Sequence, residues 1–464
     1  MPENPLPARE NPTPAPENPL PVPGTPTLVQ GTPTPTPGPP TPTPGPGTPV
    51  LVVVDPYSSG SVFARRAKER YGLDAVAVLT SETLPPALLA TYPREDFAAE
   101  LRFSTAGETA AEVERLCGGR RPDFLVCGSE PGVEAYDALA AHWGMRPNAG
   151  PSDVRRDKFL MQERLREAGV PHIPHHKASD TESAVAWAEG SGLAEFVVKP
   201  MRSFATDGVF FCATPDEVRA ACDRLFGRVD LAGEVITELL FQERLVGPEY
   251  VVDSVSLDGA PFVVNMFRYT KETIDGTPVY RAMTAVEVGD HPEITDYVAR
   301  ALAALGIENG PAHSELVLTG RGPVLIETGA RMHGGLGPTL VEHASTHSLT
   351  DLTLASRVAP EEFLERTRTA PSLHRGVVEC FLSSPATGTV TANRVGEACG
   401  ELDSYLFDTC AQAPGDPVAK TTDLITSYGR VVLSHEDPDT LARDTAHVLS
   451  LDRKGELLDV RPRG

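Results

Sequence analysis

The residue types best suited to chemistry cluster between Gly310 and Gly335, in the stretch GPAHSELVLTGRGPVLIETGARMHGG. Two short apolar runs, Ser314–Thr319 and Pro323–Ile326, flank the turn signal Thr319-Gly320-Arg321-Gly322, which predicts an antiparallel hairpin. Each strand carries one carboxylate, Glu315 and Glu327. Side chains alternate faces along a strand, so acids on neighbouring strands can converge on one point, where hard oxygen ligands suit Mg2+ better than zinc. Arg331 follows one short step behind. A cation just beyond a carboxylate-held metal is what phosphoryl transfer needs, because metals and guanidinium groups stabilise the negative charge spread over its transition state. In isolation the same pair also reads as two exposed acids on a surface hairpin, and the rest of the chain has to decide.

Further polar groups lie where they could serve such a centre. Lys199 closes the strand-like run Glu195–Pro200, and the small-residue loop Arg202–Val209 after it could fold over phosphates and present backbone N–H groups. An ordinary hairpin loop with an exposed lysine is the competing reading. Arg268, Tyr269 and Lys271 form a cationic cluster that either clamps a carboxylate or the γ-phosphate or is a solvated strand end. His313 and His333 are close enough in sequence to assist an amine, and read equally as structural histidines.

These groups need a scaffold. Val50–Val54 is a continuous β-branched run, suited to a strand buried on both faces, and a helix carrying Val62, Phe63, Ala67 and Tyr71 separates it from the strand Ala75–Leu79. The pattern repeats with Phe124–Cys127 and a helix carrying Val133, Tyr136, Leu139 and Ala140. Strand alternating with helix predicts a parallel sheet with ligands at its carboxyl ends, which makes the loops Ser58–Gly60 and Gly128–Glu130 pocket walls. There is no GxGxxG, so no dinucleotide is expected. A helix from Asp153 to Ala168 carries Lys158, and Val251–Leu257 begins an antiparallel sheet covered by a helix over Glu293–Leu305. Beyond Gly335, a helix near Leu349–Val358 leads to a small α+β unit with strands at Val377–Phe381, Val418–Ile425 and Gly429–Leu433 and a last helix through Leu441–Leu449.

Composition removes several classes of function. A net charge of −23 argues against a nucleic-acid partner, which would require clustered Lys and Arg. Seven cysteines without CxxC spacing suggest buried reduced thiols rather than a disulfide framework or a zinc site. No basic segment precedes an N-terminal apolar run, and no apolar stretch is long enough to span a bilayer, so a cytoplasmic protein without membrane contact is expected. The Pro/Thr/Gly-rich residues 1–48 cannot bury enough apolar surface to offset their ordering entropy and predict a disordered tail, either a PxxP docking segment or a tolerated extension.

Taken together, the motifs resemble the ATP-grasp superfamily, and within it the carboxylate–amine ligases of the L-amino acid ligase type. The resemblance implies a Rossmann-like α/β domain over residues 49–152, an ATP-grasp fold over 153–366 and the α+β unit over 367–464. It implies that Lys158, in ArgArgAspLys, and Lys199, in ValValLysPro, hold the α- and β-phosphates of ATP, with the loop Ser203–Gly208 covering them. Gln242–Tyr250 is similar to the family's hinge motif, so the backbone of Glu243 and Leu245 would meet the adenine edge and Glu249 the ribose hydroxyls. Gln242 replaces the commoner glutamate, and its amide oxygen can still accept from the adenine amino group. In IleGluThrGlyAlaArg at 326–331, Gly329 stands where many family members have a metal-binding Asn, a departure that matches the amino acid ligase branch. The implied chemistry is ATP- and Mg2+-dependent amide formation through an acyl phosphate, with Mn2+ able to substitute. The substrates would be a small acid and an amine, and the amine could instead be carried by another protein, as in carrier-linked antibiotic biosynthesis. A homodimer is common in such families, though no residue pattern here bears on it. A nucleotide-binding regulator without turnover is the alternative of a different class.

Overall fold

The computed structural model describes residues 44–45, 47–81, 84–201, 208–229, 235–274, 277–422, 424 and 426–462. Most of the expected N-terminal tail therefore lies outside the described residues, although its end is already tied down, with the Gly45 amide donating to Asp74 Oδ2 at 3.1 Å.

The Val50–Val54 strand is buried along its whole length, as a parallel strand covered on both faces must be. It lies in a four-stranded parallel sheet in the order Ala99–Arg102, Asp74–Leu79, Val50–Val54, Phe124–Cys127. The edge strand Ala99–Arg102 was not legible in the sequence, since only four residues pair and two of them, Glu100 and Arg102, are charged. Val50, Val52, Val54, Val76 and Val78 pack against the helices Ala106–Leu116 and Val133–Trp143. The opposite residues, Leu51, Val53, Ala75 and Ala77, pack against Phe63–Tyr71 and against the later helix Leu349–Val358, which joins this sheet to the central one. At the carboxyl ends, two loops approach so closely that a Cβ on Gly60 would lie 2.2 Å from the Gly128 carbonyl oxygen, and one on Gly128 2.4 Å from that of Asp55. Glycine is required at both positions for the loops to meet.

The central sheet has eight strands in the order Gly322–Gly329, Gly310–Thr319, Glu249–Leu257, Ala260–Ile274, Thr277–Val286, Gly376–Leu382, Gly429–His435, Tyr405–Asp408. The last three belong to the segment expected as a small α+β unit, and they extend this sheet, Thr284 pairing with Val378. Among the described residues, the strand expected over 418–425 is confined to Pro417–Val418. Just beyond it, the Lys420 amide donates to Thr387 Oγ1 and that of Thr421 to the Ser384 carbonyl, so loop contacts replace a ladder. The helix expected from Asp153 begins only at Lys158, because the Asp157 carboxylate accepts from the amides of Phe159 and Leu160 and caps it there.

One face of the central sheet, through Tyr250, Val252, Leu316 and Leu325, packs on the helices Lys158–Glu167 and Pro292–Ala304. By strand alternation Glu249, Asp253 and Glu315 stand on the other face. A small antiparallel sheet, in the order His175–Ala178, Leu239–Glu243, Phe196–Pro200, Phe210–Cys212, forms its own core with the helices Thr181–Gly190 and Pro215–Leu225. Among the described residues no helix is long and apolar enough to cross a membrane.

Candidate active site

The hairpin register pairs Glu315 directly with Glu327, which puts both carboxylates on one face. A bulge between Glu315 and Leu316 marks the site, an irregularity that re-aims side chains. Lys158, first residue of its helix, sets Nζ 3.1 Å from Glu327 Oε2. Lys199 is 4% exposed near the end of Phe196–Pro200. Burial pulls its pKa down to about 8; Glu327 opposes that shift and the Lys158 charge reinforces it. A lysine neutral above pH ~8 binds phosphate poorly, and a bound phosphate raises its pKa. Nucleotide binding near pH 8–9 should therefore take up a proton and weaken as pH rises. Calorimetry in buffers of different ionisation enthalpy measures this, and no proton uptake would remove Lys199 from the phosphate site.

Beside the two lysines, Gln242 is 1% exposed and its amide nitrogen Nε2 has no hydrogen-bond partner. The Glu243 amide donates to the Pro174 carbonyl at 2.9 Å. Proline has no N–H to return the bond, so the ladder cannot occupy the Glu243 carbonyl from that side. Only that carbonyl, not the amide, can face an adenine edge, while Leu245 follows in irregular backbone just past the strand. Glu249 receives Lys271 Nζ at 2.8 Å on both oxygens. Burial raises the Glu249 pKa and Lys271 restrains the rise. Lys271 also lies 4.1 Å over the Tyr280 ring. Arg268, expected beside Lys271, is not brought in: it pairs with Tyr250 on the opposite face and is exposed. Of the expected phosphate loop, Ser203 lies outside the described residues. Gly208 adopts φ +70, a left-handed turn that starts the return strand.

Arg331, whose charge also acts on Glu327 and Glu315, donates from Nε to Glu130 Oε2 at 2.8 Å and from Nη1 to the Met332 carbonyl at 3.0 Å. Arg156 Nη1 holds the second Glu130 oxygen at 2.9 Å. Burial opposes the Glu130 charge, but Arg331 and Arg156 outweigh it and hold its pKa below the usual carboxylate range. The other loop of the first sheet also reaches over: the Gly335 amide donates to Ser58 Oγ at 3.0 Å. Behind Glu315, His313 bridges two acids, with Nδ1 3.1 Å from Asp253 Oδ1 and Nε2 3.3 Å from Glu315 Oε1. Both partners are ionised acceptors, so His313 must donate from both nitrogens and is cationic. Burial works against that charge, and the bonds to Asp253 and Glu315 raise its pKa nonetheless. His333 stacks on His313 at 4.3 Å, with burial and the His313 charge lowering its own pKa.

Sequence reasoning missed three of these residues. Asp253 announced itself as a lone charge in ValValAspSerVal, Arg156 sits in the motif read for Lys158 alone, and Glu130 closes a loop read only as a pocket wall.

Residues 193–339 match the ATP-grasp domain family. The chain is 30% identical over 334 residues to dapdiamide A synthase of Enterobacter agglomerans, an alignment covering 71% of this chain and 78% of that protein. The chain belongs to the ATP-grasp carboxylate–amine ligases. Solved structures agree on the fold. An L-amino acid ligase from Bacillus licheniformis superposes with a TM-score of 0.66 at 18% identity, covering 90% of this chain and 99% of that one. An ATP-complexed carboxyaminoimidazole ribonucleotide synthase from Aspergillus clavatus superposes with a TM-score of 0.60 at 13% identity, covering 87% and 99%.

The residues present fit the ATP and Mg2+ that an ATP-grasp ligase uses. The orphaned Gln242 nitrogen is a buried donor without a partner, and the paired Glu315 and Glu327 offer the all-oxygen donor set that Mg2+ prefers.

Proposed function

We propose that Glu315, Glu327, Lys158, Lys199 and Arg331 form the centre of an ATP-dependent ligase that joins the carboxylate of one small molecule to the amine of another, typically two amino acids. The cross-strand pairing of Glu315 with Glu327, with Lys158 ion-paired to Glu327 and the Arg331 charge acting on both carboxylates, carries this reading. Lys158 and Lys199 hold the α- and β-phosphates, Gln242 and the Glu243 carbonyl meet the adenine, Leu245 flanks it, and Glu249 exchanges part of its contact with Lys271 for the ribose hydroxyls. Mg2+ on Glu315 and Glu327 supplies charge neutralisation at the transferring phosphoryl group, and Mn2+, with similar oxygen preferences, is expected to substitute. The acid's oxygen attacks the γ-phosphorus and ADP leaves. The amine then attacks the resulting acyl phosphate, forming the C–N bond as the C–O bond to phosphate breaks and the nitrogen loses its proton. Holding both reactants together can lower the barrier by about 7–11 kcal/mol. Arg331 steadies the developing oxyanion, a role in which losing one donor costs about 3–4 kcal/mol.

In this reading residues 49–152 bring the substrate-side loops of Ser58 and Glu130, residues 153–366 the nucleotide and metal groups, and residues 367–464 buttress the central sheet. The reaction belongs to the cytoplasm, where ATP is available. The deciding experiment mixes the protein with MgATP and a matrix of paired amino acids and follows released phosphate, pyrophosphate and product mass. ADP, phosphate and a condensed amide are expected. Pyrophosphate would mean adenylation and overturn the mechanism, and turnover only with an aminoacyl-carrier protein would move the amine onto a macromolecule.

A further inference from the structure

We infer that Glu130 is the positioning residue for Arg331, and that Gly329 is glycine so that Glu130 can reach it. This rests on Arg331 being the guanidinium that serves the reacting centre. Glu130 comes from the first parallel sheet, far from the hairpin in sequence, at the loop following Phe124–Cys127. Its carboxylate lies between two guanidinium groups, Oε2 on Arg331 Nε at 2.8 Å and Oε1 on Arg156 Nη1 at 2.9 Å. Arg156 also donates to the Glu130 backbone carbonyl, so one arginine anchors both ends of the residue.

The geometry at Gly329 shows how tightly this carboxylate is seated. A Cβ built there would lie 2.6 Å from Glu130 Oε2, and 3.3 and 3.4 Å from Arg331 Nε and Cζ. Gly329 does not adopt a left-handed φ, so backbone freedom does not call for glycine; space does. The colliding atom is the far end of a flexible side chain, which can swing aside with the strand intact. A single methyl group at 329 would therefore displace the Glu130 carboxylate from Arg331 and leave the hairpin folded.

The contact fixes which edge of Arg331 is available. Nε is held by Glu130 and Nη1 by the Met332 carbonyl, and no hydrogen bond to Nη2 occurs among the described residues. A planar guanidinium pinned at two donors has one orientation, with its remaining N–H groups directed away from Glu130 and Met332. The first sheet thereby sets the aim of a residue carried by the central sheet.

Two readouts test this. In protein labelled with 15N at arginine Nε, the Arg331 Nε–H signal, identified by its loss in Arg331→Lys, should be protected from solvent exchange. That protection should disappear in both Glu130→Ala and Gly329→Ala. With MgATP and an equimolar mixture of the common amino acids, each of these variants should release ADP about 100-fold more slowly than the wild type. MgADP affinity and melting temperature should stay near wild type, and Glu130→Gln, which keeps an oxygen for Nε, should recover most of the rate. The double variant Glu130→Ala/Gly329→Ala should be no slower than Glu130→Ala alone, since the methyl group then has nothing to displace. Protection surviving in Gly329→Ala, additive losses in the double variant, or a defect confined to the KM of one amino acid would each overturn the inference. An Arg331→Ala enzyme with wild-type turnover would instead overturn the role of Arg331 itself.

Discussion

Glu327→Gln should release ADP at least about 1,000-fold more slowly than the wild type while remaining folded. The substitution preserves shape and removes the charge of one of two carboxylates directly opposed across the hairpin, where charge neutralisation of a transferring phosphoryl group is worth several kcal/mol. It also removes the counter-charge of Lys158, 3.1 Å away, and the strongest attraction opposing the fall in the Lys199 pKa. Two buried ammonium groups would then face each other with less compensation, so MgATP affinity should fall together with turnover. ADP release under saturating MgATP and binding by calorimetry separate the two effects. Turnover near the wild-type rate would take Glu327 out of the metal site.

The second large effect is expected at Asp253, which touches neither nucleotide nor metal in the proposed arrangement. Asp253 is 0% exposed and holds His313, which in turn donates to Glu315. Burial opposes its charge, yet His333 and His313 hold its pKa well below the usual range. In Asp253→Asn the imidazole loses the anion that keeps it protonated. A neutral ring has one N–H, so it cannot donate both to the new amide oxygen and to Glu315. Glu315 then loses the bond, or keeps it from an uncharged ring whose Nδ1 accepts from the new amide NH2, a weaker hold in either case. Groups behind a metal ligand typically account for 10–100-fold in affinity, and half-saturation by Mg2+ should rise by about that factor, with the rate at saturating Mg2+ better preserved. Electron paramagnetic resonance of Mn2+ with ADP gives the same comparison without turnover. An unchanged Mn2+ affinity would show that the Asp253–His313 pair serves the core alone.

The relation between these residues was only partly visible in the sequence. Glu315 and Glu327 could be paired in advance because a hairpin register follows from local alternation and turn chemistry. Val50–Val54 and the helix Leu349–Val358 could be placed because an apolar run or a 3.6-residue stripe has few ways to be buried. Whether Arg268 belonged to a clamp or to a solvated strand end stayed open because its orientation depends on the register with Tyr250, and neither strand alone reveals that register. The helix start at Lys158 was missed because the capping Asp157 lies inside a polar run that gives no apolar phase to lose.

The amino-acid sequence by itself determined the local elements and the pairing of two carboxylates on one hairpin. All of these arise from interactions between residues near one another in the chain, where periodicity and turn preference act directly. The tertiary structure alone decided that Glu130 would grip Arg331, that Asp253 would steady Glu315 through His313, and that the last strands would extend the central sheet. Those contacts join residues brought together by packing, and the chain leaves only indirect traces of them: a charge inside an apolar strand, and a glycine whose φ did not require it.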